Sequence, residues 1–476
     1  MTGSGSAASE TFRGLVIAAL LCVVLAACGP ADQAPTLEQR IAALQAQALE
    51  DDTAWDLLQS LTTDVGARMA GTEADALAVD WAVERMKALG FDRVWLEHVD
   101  FPLWLRHSES GRVVAPEAIE LDLTALGGTP GTAGPLRGEV VHFATLAELE
   151  AADPEAVRDR IVFISARMRR SQSAAGYGET VPQRSRGPFV AARKGARALV
   201  IRSVGTDTVD TAPHTGNVSG TEPGEPLPAA ALSNESADRL VALLAGADPV
   251  EIELDLDVGF AGRGVSANVI GEYTGSAGDG RFVLIGGHLD SWDLGTGAHD
   301  DGAGVAITMA AAHLVATQQP RPAAGIRVVL FANEEQGIHG GKAYATAHSG
   351  ELDSHVLGSE SDLGADRIYE FRSRVLPAAQ DEVARLARLL EPLGIPYNPD
   401  PLATGGADIG QVRKLGVPVI DLRHDATTYF DLHHTRKDVL SSVDPADLGF
   451  NVAAYVTLLE WAASSEVDFG PVPPSE

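Results

Sequence analysis

Runs of apolar positions divide the chain into regions with different spacing. Residues 37–61 and 74–89 carry apolar side chains at helical spacing, which predicts helices at the start of the folded part. From about residue 94, apolar and polar positions alternate in short segments, as they do in strands. A Gly- and Pro-rich run at residues 127–138 interrupts this pattern, and we interpret it as a domain boundary.

The block that follows this boundary has strand and helix signals of its own. Strands are predicted at residues 139–143, 161–165 and 198–202, and a helix at residues 188–194 ends before Gly195. This order of elements predicts a smaller α/β domain inserted into the rest of the chain.

From residue 268 onward, strand and helix patterns alternate regularly. Strands are expected at 282–286, 326–331, 355–359 and 417–422, and helices at 302–317, 340–348, 382–390 and 445–463. Such alternation predicts an α/β fold, with a mostly parallel sheet flanked by helices on both faces. In that architecture, ligands bind beyond the carboxyl ends of the strands.

The first 28 residues have the pattern of a targeting segment. Arg13 precedes an apolar run at residues 15–27, and the sequence Leu-Ala-Ala then ends in Cys28. This resembles a bacterial lipoprotein signal, in which the cysteine becomes the first mature residue and carries lipid. Gly29 follows, so no aspartate marks retention in the inner membrane. An ordinary signal peptide with an incidental cysteine is the alternative.

Export and lipid anchoring set the expected location. We predict a protein held on the cell envelope through Cys28 alone, at the periplasmic face of the outer membrane or outside the cell, with residues 29–36 as a tether. The net charge of −30, from 66 acidic and 36 basic residues, opposes binding to nucleic acid. Both cysteines, Cys22 and Cys28, lie in the signal, so any metal in the mature domain must use His, Asp and Glu.

Candidate catalytic residues follow the predicted strands in short motifs. The motifs are GGHLDSWD, GAHDDGAG, NEEQG, ESDLG and FDLHHT, and their candidate residues are His288, Asp290, Asp300, Glu334, Glu335, Asp362, His433 and His434. Taken singly, each residue has a structural explanation, such as a helix cap or a solvated carboxylate. Taken together at strand ends, they indicate a shared metal site.

Two zinc ions suit this set, because zinc binds imidazole and carboxylate and a closely spaced pair needs one bridging carboxylate. We expect Asp300 to bridge, with His288 and Asp362 completing one site and Glu335 and His434 the other. Three carboxylates and a bound hydroxide would balance the four positive charges.

Two carboxylates among the candidate residues are left without a metal. Glu334 and Glu335 are neighbours whose side chains point in different directions, so Glu334 is free to act as general base on a water held by the metals. Asp290, two residues after His288, is placed to accept the other ring N–H of that histidine and to fix its tautomer.

The same motifs resemble the co-catalytic zinc peptidases of the M28 family, in the branch similar to carboxypeptidase Q (plasma glutamate carboxypeptidase). The similarity runs from about residue 266 to the C-terminus and, more weakly, through the N-terminal helices and the insertion. It implies the same ligands and general base, a cis peptide after Asp300, and a homodimer.

The inserted block has a resemblance of its own. Its segments RDRIVFIS, AARKGARALVI and LPAAALS resemble the protease-associated domain inserted in several zinc exopeptidases. An unrelated α/β insertion is the alternative.

This resemblance gives a division of the chain and one further candidate residue. The division is a signal peptide at 1–28, a tether at 29–36, the peptidase domain at 37–126 and 261–476, and the protease-associated-like insertion at 127–260. Many aminopeptidases of this clan have Tyr before the last His ligand, where this chain has His433. The branch shares the His-His pair, which makes His433 a candidate oxyanion donor, with a purely structural histidine as the alternative.

The expected activity is hydrolysis of short peptides or dipeptides by a dizinc exopeptidase, through a hydroxide bridging the metals and Glu334 as base. Aminopeptidase, dipeptidase and carboxypeptidase action all remain open, because the groups that bind a free terminus are not identified. Two alternatives belong to other classes. One is an acyl transferase similar to glutaminyl cyclase with one zinc ion, and the other is a receptor-like binding protein without catalysis.

Overall fold

The computed structural model describes residue 1 and residues 35–207, 211–218 and 223–473. Residues 2–34, which contain all but the first residue of the predicted signal peptide and the predicted lipidation site Cys28, lie outside these residues. Across the described ranges, no helix combines the length and apolar character that crossing a membrane requires.

Fourteen α-helices and thirteen strands are found in the described part of the chain. The strands are β1 Arg93–Ala115, β2 Ile119–Glu120, β3 Leu123–Ala125, β4 Leu136–Phe143, β5 Ile161–Ile164, β6 Ala198–Arg202, β7 Ala229–Leu232, β8 Glu251–Tyr273, β9 Phe282–His288, β10 Gly325–Phe331, β11 His355–Glu360, β12 Ile368–Arg374 and β13 Val419–His424. The helices are α1 Leu37–Ala48, α2 Thr53–Ser60, α3 Glu73–Ala88, α4 Leu146–Ala151, α5 Pro154–Val157, α6 Ala175–Thr180, α7 Pro182–Ser185, α8 Gly187–Arg193, α9 Asn234–Leu244, α10 Ala303–Ala316, α11 His339–Ala347, α12 Gln380–Leu390, α13 Ile409–Arg413 and α14 Pro445–Ala463.

The central sheet has a parallel core covered on both faces. Its strand order is β12-β13-β11-β9-β10-β8, in which β13, β11, β9 and β10 are parallel and the outer β12 and β8 run antiparallel. Alternate residues of β9 face opposite ways, because side chains alternate along a strand. Val283 and Ile285 pack with α10 and α14, while Phe282 and Leu284 pack with α11 and α13. The predicted fold class is confirmed.

A smaller sheet has the order β4-β5-β6-β7-β3. Its strands β4 to β7 lie within residues 127–260, where the sequence predicts an insertion, whereas β3 lies just before that stretch. Strands β4 to β7 are parallel, and β3 pairs antiparallel with β7. The two long strands β1 and β8 pair from Arg93↔Glu272 to Ala115↔Glu251, and β4 joins β8 at Leu136↔Leu254. Strand β8 therefore runs through residue 260 without a break and connects the two sheets.

The loop after β13 packs into the smaller sheet. Tyr429 and Phe430 share an apolar core with Phe189 of α8 and with Val162 and Ile201 of β5 and β6. The loop that carries His433 and His434 is therefore held by both sheets.

Candidate metal centre and active site

Most candidate side chains lie at or just beyond the carboxyl end of a central strand. His288 is the last residue of β9, Glu334 and Glu335 follow β10, and Asp362 follows β11. Because these strands are parallel, their ends meet at one edge of the sheet. The turn before α10 brings Asp300 to the same edge, and its peptide bond to Asp301 is cis, as the family resemblance implies.

Asp300 lies between two histidines. Its Oδ1 is 3.1 Å from Nε2 of His288, and its Oδ2 is 3.2 Å from Nε2 of His434. On one side, His288 Nε2 is also 3.7 Å from Oδ1 of Asp362. On the other side, His434 Nε2 is 3.0 Å from Oε2 of Glu335. The five predicted ligands are thus brought together around the Asp300 carboxylate.

Asp301 also lies close to His288 and Asp362, in a group that could hold a metal ion. Its two oxygens already accept backbone N–H groups, Oδ2 from His288 at 3.1 Å and Oδ1 from Gly304 at 3.1 Å. A Cβ at Gly304 would come within 2.5 Å of this carboxylate. Asp301 therefore fixes the backbone at the start of α10, which leaves Asp300 as the carboxylate facing both histidines.

The chemistry of this cluster fits a cation. Oδ2 of Asp300 and Oε1 of Glu335 are buried and accept no hydrogen bond from any described residue. Burial, reinforced by Asp300, raises the pKa of Glu335 to about 7. Burial alone would lower the pKa of His434, but the Glu335 and Asp300 carboxylates raise it to about 10. Buried carboxylates that interact this strongly require positive charge, which metal ions would supply.

Asp290 contacts His288 through a different atom from the one that the sequence predicts. Nδ1 of His288 donates to the backbone carbonyl of Asp290 at 2.9 Å, whereas the Asp290 carboxylate is 3.7 Å away. That carboxylate instead accepts the backbone N–H groups of Glu334 at 3.0 Å and Glu335 at 3.4 Å. A two-residue turn brings the carbonyl back to the ring, so the side chain is free to hold the loop of the two glutamates.

Glu334 and His433 face the same space beside this cluster. Both line the cleft described below. Burial, reinforced by the charges of Asp362 and Glu335, raises the pKa of Glu334 well above its ordinary value. The His433 ring stacks on His434 with centroids 3.5 Å apart, and its Nε2 is 3.6 Å from Asp300 Oδ2. Burial, together with the charge of His434, lowers the pKa of His433 well below its ordinary value, which favours a neutral ring.

Two residues that support the site escaped sequence reasoning. Arg68 is fully buried and donates to the carbonyls of Leu289 at 2.5 Å and Thr296 at 2.6 Å, so it fixes the loop between β9 and Asp300. Asp438 accepts the N–H groups of His299 at 2.6 Å and Asp300 at 3.1 Å. Arg68 lies in no motif, but the position of Asp438 shortly after the His-His pair was a signal that could have been used.

A cleft of about 420 Å³ opens beside the cluster. Glu334, Asp362 and His433 line it from the side of the central sheet, and Tyr177 of α6 and Arg184 of α7 line it from the side of the smaller sheet. The site is therefore a pocket between two sheets, open to solvent and large enough for a small ligand.

Comparison with known proteins places this arrangement in a family. The sequence profile described as "Peptidase family M28" matches residues 268–457. Carboxypeptidase Q of Xenopus laevis is 31% identical over 415 residues, which cover 87% of this chain and 86% of that protein. Carboxypeptidase Q of Rattus norvegicus is 33% identical over 417 residues, which cover 87% of this chain and 84% of that protein.

A solved structure extends the likeness to the whole fold. The peptidase M28 precursor from Shewanella amazonensis SB2B is 42% identical, with a TM-score of 0.88 over 92% of this chain and 99% of that chain. The chain therefore belongs to peptidase family M28 and is a hydrolase of the metallopeptidase class.

Proposed function

We propose that this metallopeptidase is an exopeptidase with two zinc ions that hydrolyses short peptides. The observation that carries the proposal is the position of Asp300, whose two oxygens face His288 on one side and His434 on the other. A carboxylate shared in this way is what a pair of closely spaced metal ions requires.

The ligand assignment follows these contacts. His288, Asp300 and Asp362 would hold one ion, and Asp300, Glu335 and His434 the other. Imidazole and carboxylate donors without a thiolate suit zinc in a catalytic site. When bound, the ions would polarise the scissile carbonyl and make the attacking water more acidic.

Glu334 has the position expected of the general base. Its carboxylate faces the cleft, while its backbone N–H is held by Asp290 at 3.0 Å. It would take a proton from the water as the new C–O bond forms, and pass that proton to the amine nitrogen as the C–N bond breaks. The glutamate thus ends the cycle as a carboxylate again.

His433 is placed to stabilise the oxyanion. As a neutral imidazole in the cleft wall, it can donate an N–H to the carbonyl oxygen while negative charge develops there. Its Nδ1 is buried and has no partner among the residues that the structure describes. The Asp290 carboxylate would support Glu334 as base and Glu335 as metal ligand, because it accepts the backbone N–H groups of both glutamates.

The remaining sequence predictions complete the proposal. The apolar run before Cys28 supports export and lipid anchoring at the cell envelope. The smaller sheet supports a protease-associated-like insertion over residues 127–260 that contributes one wall of the cleft.

The test is hydrolysis of free and N-acetylated dipeptides by the purified, zinc-loaded protein. We expect turnover of free dipeptides, complete loss with a zinc chelator, and recovery when zinc is restored. Cyclisation of an N-terminal glutamine in place of hydrolysis, or turnover that survives chelation, would contradict the proposal.

A further inference from the structure

A histidine between β6 and β7 lies buried against the loop that carries His433 and His434. The side chain of this residue, His214, is fully buried, and its Nδ1 donates to the backbone carbonyl of His433 at 2.7 Å. On the other side of the ring, Nε2 is 2.8 Å from Oδ1 of Asp207. Because both ring nitrogens face oxygen acceptors, a hydrogen also lies between Nε2 and the Asp207 carboxylate. Asp207 and His214 thus form a buried pair that contacts the loop of the candidate site.

The residue after this histidine binds the same loop twice. The backbone N–H of Thr215 donates to the carbonyl of His434 at 3.1 Å, and Nδ1 of His434 donates to the carbonyl of Thr215 at 3.1 Å. A carbonyl acceptor on Nδ1 fixes the ring as the tautomer that leaves Nε2 free for a metal. Nε2 of His434 is the atom that faces Asp300 and Glu335. The segment of residues 214–215 therefore determines how this ring is presented to the carboxylates.

The backbone of His434 requires support of this kind. Its φ of +63° lies in the left-handed region, which residues other than glycine rarely adopt. Such a conformation persists only where the surrounding contacts hold it. The three hydrogen bonds that join residues 214–215 to residues 433–434 supply these contacts.

His214 is itself held from the carboxyl end of β6. Its backbone N–H donates to Oγ of Ser203 at 2.8 Å, and Nδ2 of Asn234 donates to the Asp207 carboxylate at 3.3 Å. A Cβ at Gly205 would lie 2.2 Å from Nε2 of His214, so the glycine leaves room for the ring. His214 is not one of the residues that line the cleft, and it therefore acts on a substrate only through the loop that it binds.

We propose that Asp207 and His214 are positioning residues of the metal centre, through which the smaller sheet sets the geometry of His433 and His434. The inference rests on the proposed two-zinc function and adds a layer of support to one of its two metal sites. Groups that bind the second nitrogen of a metal-ligating histidine orient its ring, and their loss lowers metal affinity. The smaller sheet is thus part of the metal centre as well as a wall of the cleft.

The two metal sites differ in this support. Nδ1 of His288 donates to the carbonyl of Asp290, which follows β9 of the central sheet. Loss of the buried pair is therefore expected to weaken the zinc ion assigned to His434 and to spare the ion assigned to His288. It should also lower kcat more than it raises KM, because His433 loses its position beside the developing oxyanion while the rest of the cleft stays in place.

The test replaces His214 by asparagine and by glutamine. In His214→Asn, the amide nitrogen takes about the position of Nδ1 and can still donate to the His433 carbonyl, whereas His214→Gln places its amide toward Asp207. By zinc titration against a competing chelator, we expect His214→Gln to lose on the order of 10- to 100-fold in affinity for one zinc ion only. Its kcat should fall with little change in KM. His214→Asn should stay close to wild type in zinc affinity and in kcat.

Two further sets of variants accompany this comparison. His142→Leu is the matched control, because His142 belongs to β4 of the smaller sheet and is exposed, and this variant should match wild type. In Asp207→Asn, the amide can donate to Nε2, so His214 keeps its bond to the loop and both zinc affinities should be retained. Asp207→Leu removes the group that fixes the ring and should weaken the same zinc ion by a smaller factor. The Asp207 variants decide the question if His214→Gln fails to fold.

Several results would overturn the proposal. Wild-type zinc affinity and kcat in His214→Gln would show that the bond to the loop has no effect. Equal weakening of both zinc ions would indicate a general structural role. Equal losses in His214→Asn and His214→Gln, or in Asp207→Asn and Asp207→Leu, would show that the hydrogen bonds do not decide the outcome. If wild type bound fewer than two zinc ions or hydrolysed no peptide, the proposed function itself would fail.

Discussion

Replacing Glu334 by glutamine is expected to lower kcat by about 10³-fold, within the range found for loss of a general base. The amide keeps the size of the side chain but cannot take the proton of the attacking water. Because Glu334 is assigned no metal, the variant should keep the zinc content of wild type. The measurement is kcat on a free dipeptide, with metal analysis of the same sample.

The neighbouring glutamate supplies the control. Glu335→Gln removes an assigned ligand, so this variant should lose metal as well as activity. Zinc content would then distinguish the two variants, although both are inactive. Full turnover by Glu334→Gln with zinc bound would show that another group accepts the proton.

Replacing Asp300 by alanine is expected to abolish metal binding and reduce activity by at least about 10³-fold. Its carboxylate faces both histidines, so its loss weakens both sites at once. Zinc content after dialysis against a defined free zinc concentration measures the effect. Asp353→Ala is a matched control, since Asp353 is exposed and lies away from the cleft, and it should behave as wild type. Wild-type zinc content in Asp300→Ala would contradict the bridging role.

Much of the fold could be predicted because apolar runs mark buried elements. The run at 282–286 forms most of β9, which is buried along its whole length, and the periodicity at 445–463 gives the bounds of α14. The pairing of β1 with β8 could not be predicted, because two strands separated by more than a hundred residues find their register through tertiary packing. The alternating pattern gave no sign that β8 continues through residue 260.

The candidate site could also be predicted only in part from the sequence. The positions of Asp300, Glu335 and His434 followed from residue type and strand ends, since parallel strands bring their carboxyl ends together. The support from Arg68 depends on contacts between loops distant in sequence, which no local pattern reveals, whereas the position of Asp438 shortly after the His-His pair offered a local signal. Asp290 was expected to bind His288 through its side chain, yet the nearer acceptor is its own carbonyl, because a tight turn decides which atom reaches the ring.

The central claim is a pair of zinc ions bridged by Asp300, and metal stoichiometry tests it most directly. Purified protein is equilibrated with zinc, freed of excess metal, and analysed by mass spectrometry for zinc per chain. Two zinc ions per chain, falling to none in Asp300→Ala, is the predicted result. One zinc ion per fully active chain, or two that persist in Asp300→Ala, would contradict it.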